Sequence, residues 1–109
     1  MIHATIRMRM PSEKLKEAVD ILGSVAVRTR IQPGCIRCRI YHDEQEENVI
    51  MLDELWRNQE DLDRHLRSAE YRNVLLVVEM AREKPEIKFS EFSASTGVET
   101  IEKARSRER

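Results

Sequence analysis

The 109-residue sequence predicts an α+β fold of ferredoxin-like plan: βαββαβ, with a four-stranded antiparallel sheet and both helices on one face. Three observations predict it. Three stretches alternate apolar and polar residues with period two, a fourth is largely apolar on both faces, and two longer regions repeat apolar residues at helical spacing. Between them stand Pro11, Pro33-Gly34, the acidic run Asp43–Asn48 and Lys84-Pro85, all of which interrupt regular structure.

In Ile2–Met10, residues Ile2, Ala4, Ile6, Met8 and Met10 share one face and His3, Thr5, Arg7 and Arg9 the other. Pro11 ends this strand, Ser12 is placed to cap a helix, and Leu15, Ala18, Val19, Leu22, Val25 and Ala26 form its apolar stripe as far as Arg30. Pro33-Gly34 then turns the chain into a second strand, Cys35–His42, with Ile36, Cys38 and Ile40 on one face. Val49–Trp56 is the third strand. Its faces, Ile50/Leu52/Glu54/Trp56 and Val49/Met51/Asp53/Leu55, are both largely apolar, as expected of a central strand covered on both sides.

Asn58 is a good N-cap, with Glu60 and Asp61 in the first turn of a helix carrying Leu62, His65, Leu66 and Ala69. Ser68 is placed to cap a further helix over Tyr71–Glu83, whose VLLVV core reads as deeply buried and which Lys84-Pro85 stops. Ile87–Ser93 is the fourth strand. Residues 1–93 thus make one domain, and 94–109 a charged tail with weak helical spacing at Val98, Ile101 and Ala104.

Bulk properties restrict the function. Net charge is −1, divided into +5 over residues 1–39, −7 over 40–70 and +1 beyond. Such blocks suit pairing across a sheet or between subunits and lack the continuous basic surface that nucleic acid needs. No apolar run reaches the ~20 residues of a membrane span, and the alternating N-terminus does not read as a signal peptide, so the expected location is cytoplasmic. Cys35 and Cys38 form a C-x-x-C on a strand, where positions three apart point to opposite faces, so the thiols are expected to diverge as small core residues. His3 and His42 have no partner at useful spacing, and no zinc-type Cys/His cluster or phosphate-binding glycine loop occurs. With helices on one face only, Val49, Met51 and Leu55 remain to be covered on the other, and a second copy of the sheet is the simplest cover: a homodimer.

The run Glu54-Leu55-Trp56, followed by Leu62 and His65-Leu66-x-Ser68 and preceded by the Pro33-Gly34-Cys35 turn, resembles the antibiotic biosynthesis monooxygenase family over roughly residues 2–93. The resemblance implies a dimeric α+β barrel with a ligand pocket between helices and sheet. It also implies oxidation of a quinol-like or polycyclic phenolic compound by dioxygen with no cofactor, neither metal nor flavin. A base takes a proton from the substrate, and the electron-rich anion reduces oxygen. On this resemblance His65 is the base and Trp56 a slot wall that could donate through its indole N–H, with Thr5, Leu62 and Tyr71 as substrate-binding residues. Glu54 reads as structural. Arg7, Arg9, Arg37 and Arg39 either stabilise an anion or face the dimer side.

Two departures open other readings. Glu70 stands where many members carry a second histidine, which favours a non-catalytic dimeric ligand-binding or scaffold domain. The haem-degrading branch pairs a helix histidine and a third-strand tryptophan, which His65 and Trp56 match, with an asparagine on the first strand; this chain has none there, Thr5 being its nearest small polar residue, which makes haem degradation the lesser alternative.

Overall fold

Alternation along the first strand, β1 (Ile2–Arg9), becomes a two-faced ribbon: Ile2, Ala4, Ile6 and Met8 are buried, while His3, Thr5, Arg7 and Arg9 are half-buried on the opposite side. The computed structural model describes residues 1–107; the last two positions of the tail expected over 94–109 lie outside the described residues. A 3-10 turn at Ser12–Lys14 leads into α1 (Leu15–Thr29). Ser12 does not cap it: neither segment has a side-chain cap bond, and the Lys14 N–H is satisfied by the Pro11 carbonyl at 2.9 Å. Ala18, Leu22, Val25 and Ala26 form the buried stripe of α1.

β2 (Cys35–His42) and β3 (Val49–Trp56) form the hairpin expected around the acidic loop. The sheet order is β2-β3-β1-β4, with every neighbouring pair antiparallel, which is the ferredoxin-like arrangement. β3 is central as expected, with Ile50, Leu52, Glu54 and Trp56 buried beneath the helices. Most of the core lies there, where Met8, Met10, Leu22, Ile50, Leu52, Val74 and Val77 interlock. Each large aliphatic side chain buried in this way contributes about 1.5–3 kcal/mol. A smaller cluster of Ile2, Trp56 and Leu62 closes one end of the sheet, joined to the main core through Cys35 and Leu66.

A bulge changes the reading of β2. Cys35 lies opposite Trp56, Arg37 opposite Leu55 and Cys38 opposite Glu54, so Ile36 is the extra residue. It resets the parity and turns both cysteines to the helix side, where both remain free thiols, while Ile36 is half-exposed. The expected divergence of the thiols and the sharing of one face by Ile36 and Cys38 are therefore corrected. Burial, with smaller contributions from Glu54 and Cys35, pushes the Cys38 thiol up to about 12.

α2 (Gln59–Arg67) begins at Asn58, whose backbone is extended and whose side-chain Oδ1 accepts the Asp61 N–H at 2.9 Å, as the sequence predicts. α3 (Tyr71–Met80) stops before Glu83 because the chain leaves the helix to pair with β1: the Arg82 N–H donates to the Arg9 carbonyl at 2.8 Å. Only Tyr71, Val74 and Val77 of α3 are fully buried; Leu75 and Leu76 are each 49% exposed, against the expected deep burial. β4 occupies Glu86–Glu91, with a further pairing of Phe92 and Met1, rather than Ile87–Ser93. The tail forms a helix, α4 (Val98–Ser106), in which every residue is exposed. Among the described residues, no helix is long and apolar enough to cross a membrane.

Candidate functional site

Strand parity puts Glu54 and Trp56 side by side on the helix-covered face of β3, and the Asn58 cap starts α2 immediately after, so His65 comes back over them two turns later. The indole and imidazole rings stack, with centroids 4.7 Å apart and planes 29° from parallel. Tyr71, the first residue of α3, meets the imidazole edge-on at 5.1 Å and 83°. Leu62, one turn before His65, packs on Trp56. The backbone of His65 is fixed as well, because its carbonyl accepts from both the hydroxyl and the N–H of Ser68.

The polar contacts form a connected network. Trp56 Nε1 donates to Glu54 Oε1 at 2.7 Å. The same Oε1 lies 3.2 Å from His65 Nε2, but in a direction that makes no hydrogen bond, and Nε2 remains a buried polar atom without a partner. The two atoms are thus close without a formed hydrogen bond. On the other side of the ring, His65 Nδ1 is 3.0 Å from Gln32 Oε1. Both imidazole nitrogens therefore face oxygen atoms, Nδ1 that of Gln32 and Nε2 that of Glu54. Burial, with a smaller contribution from Glu54, pushes the Tyr71 phenol up to about 12, so it keeps its proton at neutral pH.

Gln32 reaches the site from the α1–β2 turn. That turn is held by Gln32 N–H to Thr29 O at 3.0 Å, Cys35 N–H to Gln32 O at 3.1 Å and Arg57 N–H to Gly34 O at 2.8 Å. Gly34 has φ +84° and lies directly against the Asp61 side chain at the start of α2. Asp61 is clamped by Arg57 at 2.8 Å and Arg64 at 2.9 Å. The Arg57 hydrogen bond first, then Arg64, outweigh burial and hold its carboxyl below the usual range.

Of the residues singled out in the sequence, Trp56, His65, Leu62 and Tyr71 come together, and Thr5 does not. Thr5 lies on the opposite face of the sheet, across from Asp53, and lines a surface cavity of about 470 Å³ with Met51 and Lys88. The Trp56 indole N–H, expected to face a ligand, is taken by Glu54. Among the described residues, further surface cavities lie at Arg7/Glu83, Arg30/Arg39, Ser24/Asn73 and Tyr41/Val49, and none of these reaches Trp56, Glu54 or His65. Among the described residues, no three His, Cys, Asp or Glu side chains converge as a metal-ligand set.

The sequence reading missed two features. Gln32 gave no signal, because it meets His65 through tertiary packing alone. His3 does have a partner: its Nε2 is 2.9 Å from Asp53 Oδ2, and Arg37 Nε donates to Asp53 Oδ1 at 3.0 Å. Cross-strand register places these three on the uncovered face, and parity alone would have suggested it.

Comparison with known proteins agrees with this fold. A curated relative, the uncharacterized protein sll1783 of Synechocystis, is 31% identical over 61 residues, covering 56% of this chain. The chain spans 42% of that relative's length. A conserved protein from Methanosarcina mazei Go1 superposes with a TM-score of 0.78 at 22% identity, over 84% of this chain and 92% of its own. An antibiotic biosynthesis monooxygenase of known structure superposes with a TM-score of 0.76 at 17% identity, over 86% of this chain and 100% of its own. At these identities the superpositions establish the fold. The sequence profile of the antibiotic biosynthesis monooxygenase family matches residues 1–75, and the chain belongs to that family.

Proposed function

We propose that the chain is a cofactor-independent monooxygenase that oxidises a small quinol-like or polycyclic phenolic compound with dioxygen, using a Glu54–His65 pair as its base. The observation that carries this reading is the buried imidazole, with a carboxylate oxygen 3.2 Å from Nε2 and no hydrogen bond completed there. A buried polar atom without a partner needs a reason, and a catalytic group whose geometry tightens only with ligand is one. Nδ1, on the side of the turn, is the working nitrogen. With Gln32 displaced and the ring proton carried on Nε2 towards Glu54, Nδ1 takes the proton of a phenol or activated C–H, and Glu54 stabilises the resulting imidazolium. The substrate anion supplies the electrons. For a hydroquinone the balance is one quinol and one O₂ giving one hydroxyquinone and one water: one oxygen atom enters the product and the other leaves reduced.

A second reading is favoured by a specific observation: Trp56 and His65 are in ring-to-ring contact, with Tyr71 on the edge, and no slot separates them. On that reading the cluster is a packed polar core, and the chain is a non-catalytic ligand-binding or scaffold domain. Oxygen-electrode measurements with hydroquinones and anthrone-type phenols separate the two. Catalysis predicts uptake with one labelled oxygen atom per product under ¹⁸O₂; no uptake with any member of the panel leaves the scaffold reading.

The same proposal includes a homodimer formed through the sheet face opposite the helices, where Met51 and Leu55 are half-buried and Tyr41 is exposed in the single chain. The proposed location is cytoplasmic.

A further inference from the structure

We infer that Gln32 is the gate of the His65 site: its side-chain amide occupies the place that the hydroxyl of a flat phenolic ligand takes, and the ligand enters beside the α1–β2 turn by displacing it. This rests on the reading of His65 as the working base. The aromatic and polar contacts of the His65 ring are with Trp56, Tyr71, Glu54 and Gln32, and a guest that reaches a ring nitrogen must displace one of them. Trp56 and Glu54 are buried on the central strand and bonded to each other. Moving either disrupts the middle of the sheet. Tyr71 is buried at the first position of α3, so displacing it disturbs a helix terminus.

Gln32 differs from the other three in every respect. It is half-buried, belongs to a turn, and touches the cluster through one neutral hydrogen bond at 3.0 Å. The turn's backbone is pinned at Gln32, Gly34 and Cys35, so the side chain can swing while the main chain stays in place. The released amide returns to water, which replaces the bond it gave up, so the opening is cheap. What it uncovers is Nδ1, the nitrogen remote from Glu54. A ligand hydroxyl at the position of Gln32 Oε1 then stands in line with imidazole and carboxylate. The closed state competes with ligand, and apparent affinity is reduced by the fraction of molecules that are open.

Anaerobic calorimetric titration with hydroquinone, on the full chain, tests the gate. In Gln32→Ala the competitor is gone, and the dissociation constant should fall about fivefold or more relative to wild type. Gln32→Ser, which keeps a small polar side chain in the turn, should shift it in the same direction. The ¹⁵Nδ1 resonance of His65 should move in Gln32→Ala and move again on adding hydroquinone. The inference is overturned if both variants bind hydroquinone no more tightly than wild type, or if hydroquinone binds without moving that resonance. Tighter binding to Gln32→Ala with no oxygen uptake by any form would keep the gate and remove the monooxygenase reading. Oxygen uptake by wild type, with affinity unaltered in both variants, would do the reverse.

Discussion

Asp53 is only 6% exposed, yet it sits on the sheet face that no helix covers, so its charge depends on its two partners. Burial raises its carboxyl pKa, but the hydrogen bonds from His3 and Arg37 outweigh burial and hold it below the usual carboxylate range. A carboxylate depressed in the folded state stabilises the fold fully above its unfolded pKa of about 4 and loses that contribution as the pH falls through the folded value. Asp53→Asn should therefore cost roughly 1–2 kcal/mol at pH 7. In thermal melts the gap to wild type should close as the pH drops below about 3. A gap that is constant between pH 7 and pH 3 would mean that the pair contributes shape rather than charge. The thiols show how one residue can mislead a sequence reading. Cys35 and Cys38 read as facing apart because strand parity was applied without a break, and the single extra residue Ile36 brings them to one face.

Among the elements, the α1–β2 turn does more than its length suggests. Gly34 supplies a positive φ, carries the carbonyl that ties Arg57, and lets Asp61 of α2 sit where a Cβ would be. Gly34→Ala meets both penalties, the left-handed backbone and the overlap with Asp61, and should destabilise the chain by about 2–4 kcal/mol. Chemical denaturation measures it; a loss under about 0.5 kcal/mol would show that the turn and α2 separate freely. The strands, the bounds of β2 and β3, the Asn58 cap and the order of elements were legible because each rests on local pattern. The ends of α3 and β4 were not: Arg82 leaves its helix to bond Arg9, and Phe92 pairs with Met1, partners far away in sequence. Leu75 and Leu76 lie in an apolar run that says nothing about which side of a helix is covered. At the site, the meeting of Trp56 with His65 could be anticipated from a strand end and a capped helix. Gln32 could not, since nothing local ties residue 32 to residue 65.

For the whole molecule, the single chain leaves one sheet face without a covering layer, with Met51 and Leu55 at its centre beside the Asp53 ion pairs. The proposed homodimer predicts sedimentation at twice the 12.9 kDa chain mass at micromolar concentration. Leu55→Glu, which sets a charge at that centre, should shift the mass to that of one chain with the helical signal retained; a wild-type chain sedimenting as a monomer would contradict the dimer. On the proposed function, the two-layer core and the sealed end around Trp56 hold an imidazole dry, stacked and next to a carboxylate until a ligand arrives. The most direct measurement is the steady-state rate of His65→Ala against wild type on the best phenolic substrate, with folding checked by circular dichroism. Removal of the base should lower kcat by about 10²–10⁴-fold. A folded His65→Ala protein that turns over at the wild-type rate would contradict the Glu54–His65 mechanism.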